Sequence, residues 1–227
     1  ADWRGGADWS FGSTDVEAGP VAVEAATYGG DAWLGWRDGN VFANLAVGGS
    51  IDQYDEIERV SSLAPLVQHG STNGRSWGAR LQGGMWFDMG GISLSPRAAV
   101  TWGVSKVNDW SESGYAASLQ YLDREVEVIT GEVVLRAEGG GEGLRFYAEG
   151  GYRDTLEDSS DGVGTRIAGN TARPVWTHVE DPFGGSALAA AGIEAELWGG
   201  SVDVGYRGRF GDHADSHMGG VTFRLPL

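Results

Sequence analysis

Trp77-Gly78-Ala79-Arg80-Leu81-Gln82-Gly83-Gly84-Met85-Trp86-Phe87-Asp88 runs into a short Gly-rich break, and Ile92-Ser93-Leu94-Ser95-Pro96-Arg97-Ala98-Ala99-Val100-Thr101-Trp102 follows. In the first stretch Trp77, Ala79, Leu81, Gly83, Met85 and Phe87 fall on one parity, opposed by Arg80, Gln82 and Asp88. In the second, Ile92, Leu94, Pro96, Ala98, Val100 and Trp102 oppose Ser93, Ser95, Arg97 and Thr101. A period of two is the signature of a β-strand with two unlike faces. Each run is ten or more residues long, against about five or six for an ordinary strand.

The same alternation extends along the chain. Trp3, Ala7, Trp9 and Phe11 oppose Asp2, Arg4 and Asp8. Tyr28 to Trp36 repeats the pattern, with Trp33 as an exception on the polar parity, and Val41 to Val47 follows. Later come Leu144 to Tyr152, Ala187 to Leu197, Val202 to Tyr206, and Val221 to Leu227. Near Val128-Ile129 the apolar parity slips, which predicts a β-bulge. The total is about ten strands, with no helical signal beyond a turn or two.

Connections alternate in length. Short ones are expected at Arg37 to Asn40, Asp88 to Gly91, Gly139 to Gly143 and Gly199-Gly200, where Asp-Gly and Gly-Gly steps suit hairpin turns. Long or polar loops are expected at Ser13 to Pro20, Glu56 to Gly74, Asn108 to Leu119, Leu156 to Gly185 and Gly211 to Ser216.

Composition narrows the field. The chain has 227 residues, 39 of them Gly, with no Cys and a formal charge of −16. That charge repels phosphate and sets nucleic-acid binding aside. A hydrophobic content of 41% excludes disorder. No apolar run reaches the ~18 residues of a membrane helix. No signal peptide opens the sequence, so it reads as a mature or excised piece of a longer chain.

Alternation alone does not say which face meets water. In a soluble sandwich the apolar face packs inward; in an outer-membrane barrel it meets lipid, and charged residues line a wet lumen. Long strands, asymmetric connections and aromatic residues towards strand ends (Trp36, Trp77, Phe87, Trp102, Tyr152) favour the barrel. The expected fold is therefore all-β: one antiparallel transmembrane β-barrel over residues 1–227, with short periplasmic turns and long extracellular loops. The expected lumen residues are Arg80, Arg97, Arg145, Glu149, Arg153, Glu194, Arg207, Arg209 and Arg224. A bland reading pairs these arginines with Glu132, Glu149, Glu194, Glu196 and Asp203 simply to fill the barrel.

Several stretches are similar to autotransporter β-domains. Tyr28 to Arg37, Val41 to Gly49 and the acidic Asp52 to Arg59 tract resemble their central hairpin. Asp109-Trp110-Ser111-Glu112-Ser113-Gly114-Tyr115 and Leu144 to Arg153 resemble further segments. Val221-Thr222-Phe223-Arg224-Leu225-Pro226-Leu227 resembles the terminal strand, with Val221, Phe223, Leu225 and Leu227 as the signal read by the barrel-assembly machinery. The flavour is nearest to esterase/lipase-type members. The resemblance implies an anchor and translocator in the outer-membrane lipid, exporting an N-terminal passenger, with neither cofactor nor enzymatic activity on this chain. It also implies twelve strands and a pore helix. Two strands would then come from an N-terminal segment or another chain. The chain ends in Leu227, where the family usually has an aromatic residue.

The other reading is a stand-alone ten-stranded barrel: an adhesin, a channel or a surface protease. All four His (His69, His178, His213, His217) fall in expected loops or at their edges, and Asp212 to His217 has the residue types of a metal or acid–base set. Solvated loop residues are the simpler account. Acidic clusters at Asp55 to Glu58 and Glu157 to Asp161 could attract divalent cations, which calorimetry with calcium would test.

Overall fold

The computed structural model describes residues 1–18, 20–60, 66–114, 118–141, 143–170, 173–178, 184–197, 200–211 and 214–224, with backbone alone at 16–18, 197 and 224. Ten long strands and one short one form a single antiparallel sheet: β1 (Asp2–Ala18), β2 (Val21–Asp38), β3 (Val41–Val60), β4 (Val67–Met85), β5 (Phe87–Asp88), β6 (Ile92–Val107), β9 (Arg124–Gly141), β10 (Leu144–Ser160), β13 (Ser186–Leu197), β14 (Gly200–Gly211) and β15 (Asp215–Arg224). Between them, β7 (Trp110–Ser111), β8 (Leu119–Tyr121), β11 (Val163–Ile167) and β12 (Val175–Thr177) make a second, four-stranded sheet.

The main sheet is a meander in the order β1-β2-β3-β4-β6-β9-β10-β13-β14-β15, with β5 continuing β4's side of β6. Residues directly opposite one another across antiparallel strands share a face. Arg80 stands opposite Thr101, and Thr101 opposite Thr130. Glu149 stands opposite Arg136 and Ala190, and Ala190 opposite Arg207. The polar parity of every strand therefore joins into one wall. That wall is concave, because side chains two strands apart meet on it: Arg80 Nη2 lies 2.7 Å from Glu132 Oε1, across β6. The opposite wall carries the large apolar residues, and it is bare. Leu81 is 59% exposed, Val100 48%, Val133 59%, Phe146 51% and Val204 53%. A soluble protein rarely leaves so large an apolar surface uncovered.

Ala1, Arg224, the turns after β2, β5 and β9 and the adjoining ends of β13 and β14 lie at one end of the sheet; β7, β8, β11 and β12 lie at the other. At the first of these turns Gly39 has φ 56°, a backbone state that an L side chain resists.

The expected connections need correction. Ser13 to Pro20 is not a long loop: β1 runs to Ala18, which pairs with Val21 of β2. Glu56 to Gly74 is largely strand, since β3 continues to Val60 and β4 begins at Val67. Gly211 to Ser216 shrinks to 212–214 between β14 and β15. The loops Asn108 to Leu119 and Leu156 to Gly185 carry the strands of the second sheet. The expected bulge near Val128-Ile129 is displaced. β9 pairs with β6 without interruption, and the extra residue is on β10, between Thr155 and Glu157, facing Thr130 and Ile129. Val126 and Val128 are simply apolar residues on the concave side, opposite Ser105 and Gly103.

Candidate functional site: the arginine-lined concave wall

Alternation places one charged residue every second position on each strand, and the sheet's curl brings neighbouring strands' charges together. A recess of about 550 Å³ on the concave face is bordered by Arg80, Arg97, Arg136, Arg153, Arg207 and Arg209, with Glu132 and Glu149 among them. Arg80 binds Glu132 and also donates to Thr101 Oγ1 at 3.2 Å. Glu149 Oε1 accepts from Arg136 Nη1 at 2.7 Å and lies 3.7 Å from Arg97 Nη1. Arg136 also pairs with Glu138 and stacks over Tyr147 at 4.1 Å. Arg97 sits over the rings of Trp86 and Phe42, at 5.1 and 5.6 Å. Arg209 Nε donates to Ser186 Oγ at 2.8 Å. Six guanidinium groups against three carboxylates, Glu132, Glu149 and Glu138, leave this part of the wall electropositive, although the whole chain is acidic.

Of the residues expected in a lumen, Arg80, Arg97, Glu149, Arg153, Arg207 and Arg209 are thus brought together. Arg145 and Glu194 stand directly opposite each other on the same face, nearer the short-turn end, with Asp203 next in the row. The side chain of Arg224 lies outside the described residues. Among the described residues, the expected pairs Arg80–Glu132 and Arg97–Glu149 form. Arg136 was missed by sequence reasoning. The signal was there, since it sits on the polar parity between Leu135 and Ala137. Val221 and Phe223 face outward on β15, 57% and 73% exposed; Leu225 and Leu227 lie outside the described residues.

At the loop end, the chain after β6 turns back over the wall. Ser113 pairs with His69 on the upper edge of β4. Glu112, its side chain only 1% exposed, takes a two-pronged bond from Arg59, Nε to Oε1 at 2.5 Å and Nη2 to Oε2 at 2.6 Å. Leu119 N–H adds a bond at 2.8 Å and Tyr121 O–H one at 3.3 Å. Burial alone would raise the Glu112 carboxyl; the bonds from Arg59, Leu119 and Tyr121 outweigh it and hold the group below its ordinary value. Ser118 Oγ donates to the buried Gln68 at 3.0 Å, Trp110 stacks on Tyr121 at 4.2 Å, and Trp110 also lies against Gly70, where a Cβ would collide with its ring. Because Arg59, Gln68 and Gly70 belong to the concave face, this loop caps that side of the sheet.

The histidines do not gather. His69 lies on β4 beside Glu56 and Glu58, whose ligand atoms come within 4.8 Å of one another. His217 is on the outward face of β15, its Nδ1 2.7 Å from the Tyr206 hydroxyl. Asp212 and His213 lie outside the described residues, so the 212–217 set is not assembled among the described ones.

The inverted faces and the two unlike ends define a membrane barrel wall. A family model, the autotransporter β-domain, matches residues 1–207. The chain belongs to the autotransporter β-domain family. The chain superposes on the translocator domain of autotransporter NalP from Neisseria meningitidis, with a TM-score of 0.83, 15% identity and coverage of 100% of this chain and 76% of that one. At that identity the likeness speaks for the fold. The transport unit of AIDA-I from Escherichia coli aligns over 99% of this chain and 89% of its own, at 10% identity and a TM-score of 0.37, and no weight rests on it. A sequence comparison with curated proteins finds no match. The chain is thus an outer-membrane β-barrel domain, with its short turns on the periplasmic side and the second sheet outside.

Proposed function

We propose that this chain is the outer-membrane translocator barrel that anchors and exports an N-terminal passenger. The observation that carries it is the inversion of faces: bare Leu81, Val100, Val133 and Val204 outside, paired arginines and glutamates inside. Such a wall is stable only with lipid on one side and water or polypeptide on the other. Epitope-tagging a passenger fused ahead of Ala1 tests it. Surface display that needs the barrel supports export; a tag retained in the periplasm beside a correctly inserted barrel would sink it.

Among the described residues, β1 and β15 are the two edges of the sheet and are not hydrogen-bonded to each other. Open edges are not tolerated in hydrocarbon. Following the family resemblance, two further strands, from a preceding segment or another chain, close the wall. Intact mass of whatever co-purifies in detergent distinguishes these sources. The barrel-assembly machinery is the partner expected to read β15. No reaction is assigned to this chain. An ester-hydrolysing passenger is the first class to test, on the hairpin resemblance alone. A stand-alone adhesin or channel is the competing reading, and it predicts display of no tagged passenger.

A further inference from the structure

Among the described residues, the main sheet sorts its cations by face, with two exceptions. Arg4, Arg37, Arg59, Arg80, Arg97, Arg124, Arg136, Arg145, Arg153, Arg207 and Arg209 all share the concave parity. Arg75 and Lys106 point outward, and they are direct cross-strand partners. Like charges so placed repel each other at about 5 Å between Cβ atoms. Their compensation is partial: Lys106 Nζ lies 3.5 Å from a half-exposed Glu125 carboxylate, Arg75 sits 5.6 Å from the Trp77 ring, and the next outward carboxylate, Glu127, accepts from Trp102 Nε1 at 2.7 Å.

Depth gives the pair a meaning. On the outward face Trp77 lies two residues below Arg75, and Trp102 lies a further row down on β6. The row of Arg75 itself continues through Ile51 and Tyr28 to Phe11. Aromatic side chains of this kind mark the boundary between hydrocarbon and headgroups. Arg75 and Lys106 therefore stand at the loop-side edge of that aromatic band, within side-chain reach of the outer-leaflet phosphates.

We propose that Arg75 and Lys106 bind the phosphate of an outer-leaflet lipid headgroup on the barrel's outer surface. The proposal rests on the membrane-barrel reading. An anion between the two cations turns their repulsion into two charge-assisted bonds, as guanidinium and ammonium groups commonly hold phosphate. Trp77 supplies an apolar flank for the sugar or acyl portion.

The test uses the full chain purified in neutral detergent, with a phosphorylated glycolipid, its dephosphorylated form and inorganic phosphate as probes. Retained lipid is read by native mass spectrometry, and heat-modifiable gel mobility reports whether the barrel is folded. The expected result is retention of the phosphorylated lipid only, with about a tenfold loss in Arg75→Gln/Lys106→Gln. The charge-keeping Arg75→Lys should retain most of it. Equal retention of the dephosphorylated lipid, or unchanged retention in the folded double variant, overturns the proposal. Displacement by inorganic phosphate at matching concentration would also overturn it, by showing a free-anion site. If the double variant fails to fold, Arg75→Gln alone decides. Loss of the barrel's own heat-modifiable mobility in the parent chain would indict the barrel reading instead.

Discussion

Glu112 shows what a single buried carboxylate does at the mouth of this barrel. It binds Arg59, Leu119 and Tyr121 at once, so removing its charge strands a guanidinium and loosens a strand. Glu112→Gln should destabilise the capping loop by about 3 kcal/mol. Hydrogen exchange checks this: amides of Leu119 to Tyr121 should exchange roughly 100-fold faster, with β9 and β10 unchanged. The pH dependence has a definite sign. The folded carboxyl sits below its unfolded value of about 4.3, so its contribution is complete above that value and disappears as pH falls through the folded one. Exchange protection at Tyr121 should therefore hold near neutrality and fail in acid. The same protection in acid and at neutrality would show that the ion pair is not what holds the loop. None of this was legible in the sequence. Glu112 stood out only as a member of the Asp109 to Tyr115 segment, and nothing local pairs it with an arginine 53 residues away.

At the scale of the strand, the two faces make neighbouring positions behave as opposites. Leu81 is bare on the lipid side, while Gln82 borders the concave recess. Leu81→Lys should cost about 2–4 kcal/mol in urea unfolding from vesicles, and Gln82→Lys well under half of that. Equal costs would mean that both positions meet the same medium. This inversion was readable from alternation once strand length was considered, and so were the ten long strands. Strand ends were read less well. Beyond the membrane the β1–β2 and β3–β4 hairpins keep pairing with polar residues such as Thr14, Asp15 and Glu58, so composition there looks like loop while backbone bonding makes it strand. The four strands of the second sheet are two to five residues each, too short for any period to register. The bulge was sensed at the right level but on the wrong strand. β9 itself keeps its register: its parity change is only apolar Val126 and Val128 on the concave face giving way to Val133 and Leu135 on the outer one, and the extra residue is Leu156 of β10.

For the molecule as a whole, the assignment of ends is the decisive quantity. The chain has no Cys, so single cysteines can be placed without background. Arg173→Cys, in the loop beside β12, should react with an impermeant maleimide on intact cells. Asn40→Cys, in the β2–β3 turn, should react only after the outer membrane is opened. The reverse pattern would invert the barrel and remove the outer-leaflet placement of Arg75 and Lys106.

Strand lengths vary around the sheet in a way that shapes its rim. β2, β3 and β4 have 18 to 20 residues, whereas β13, β14 and β15 have 10 to 12. At ~3.3 Å per residue and a tilt of about 40°, the tall side rises about 50 Å, and the short side about 25 to 30 Å, little more than the apolar band. The wall is cut on a slant, like a pouring lip. A polypeptide leaving it meets a wall on one side and open water on the other, so its first free residues emerge sideways, close to the membrane plane over β14 and β15.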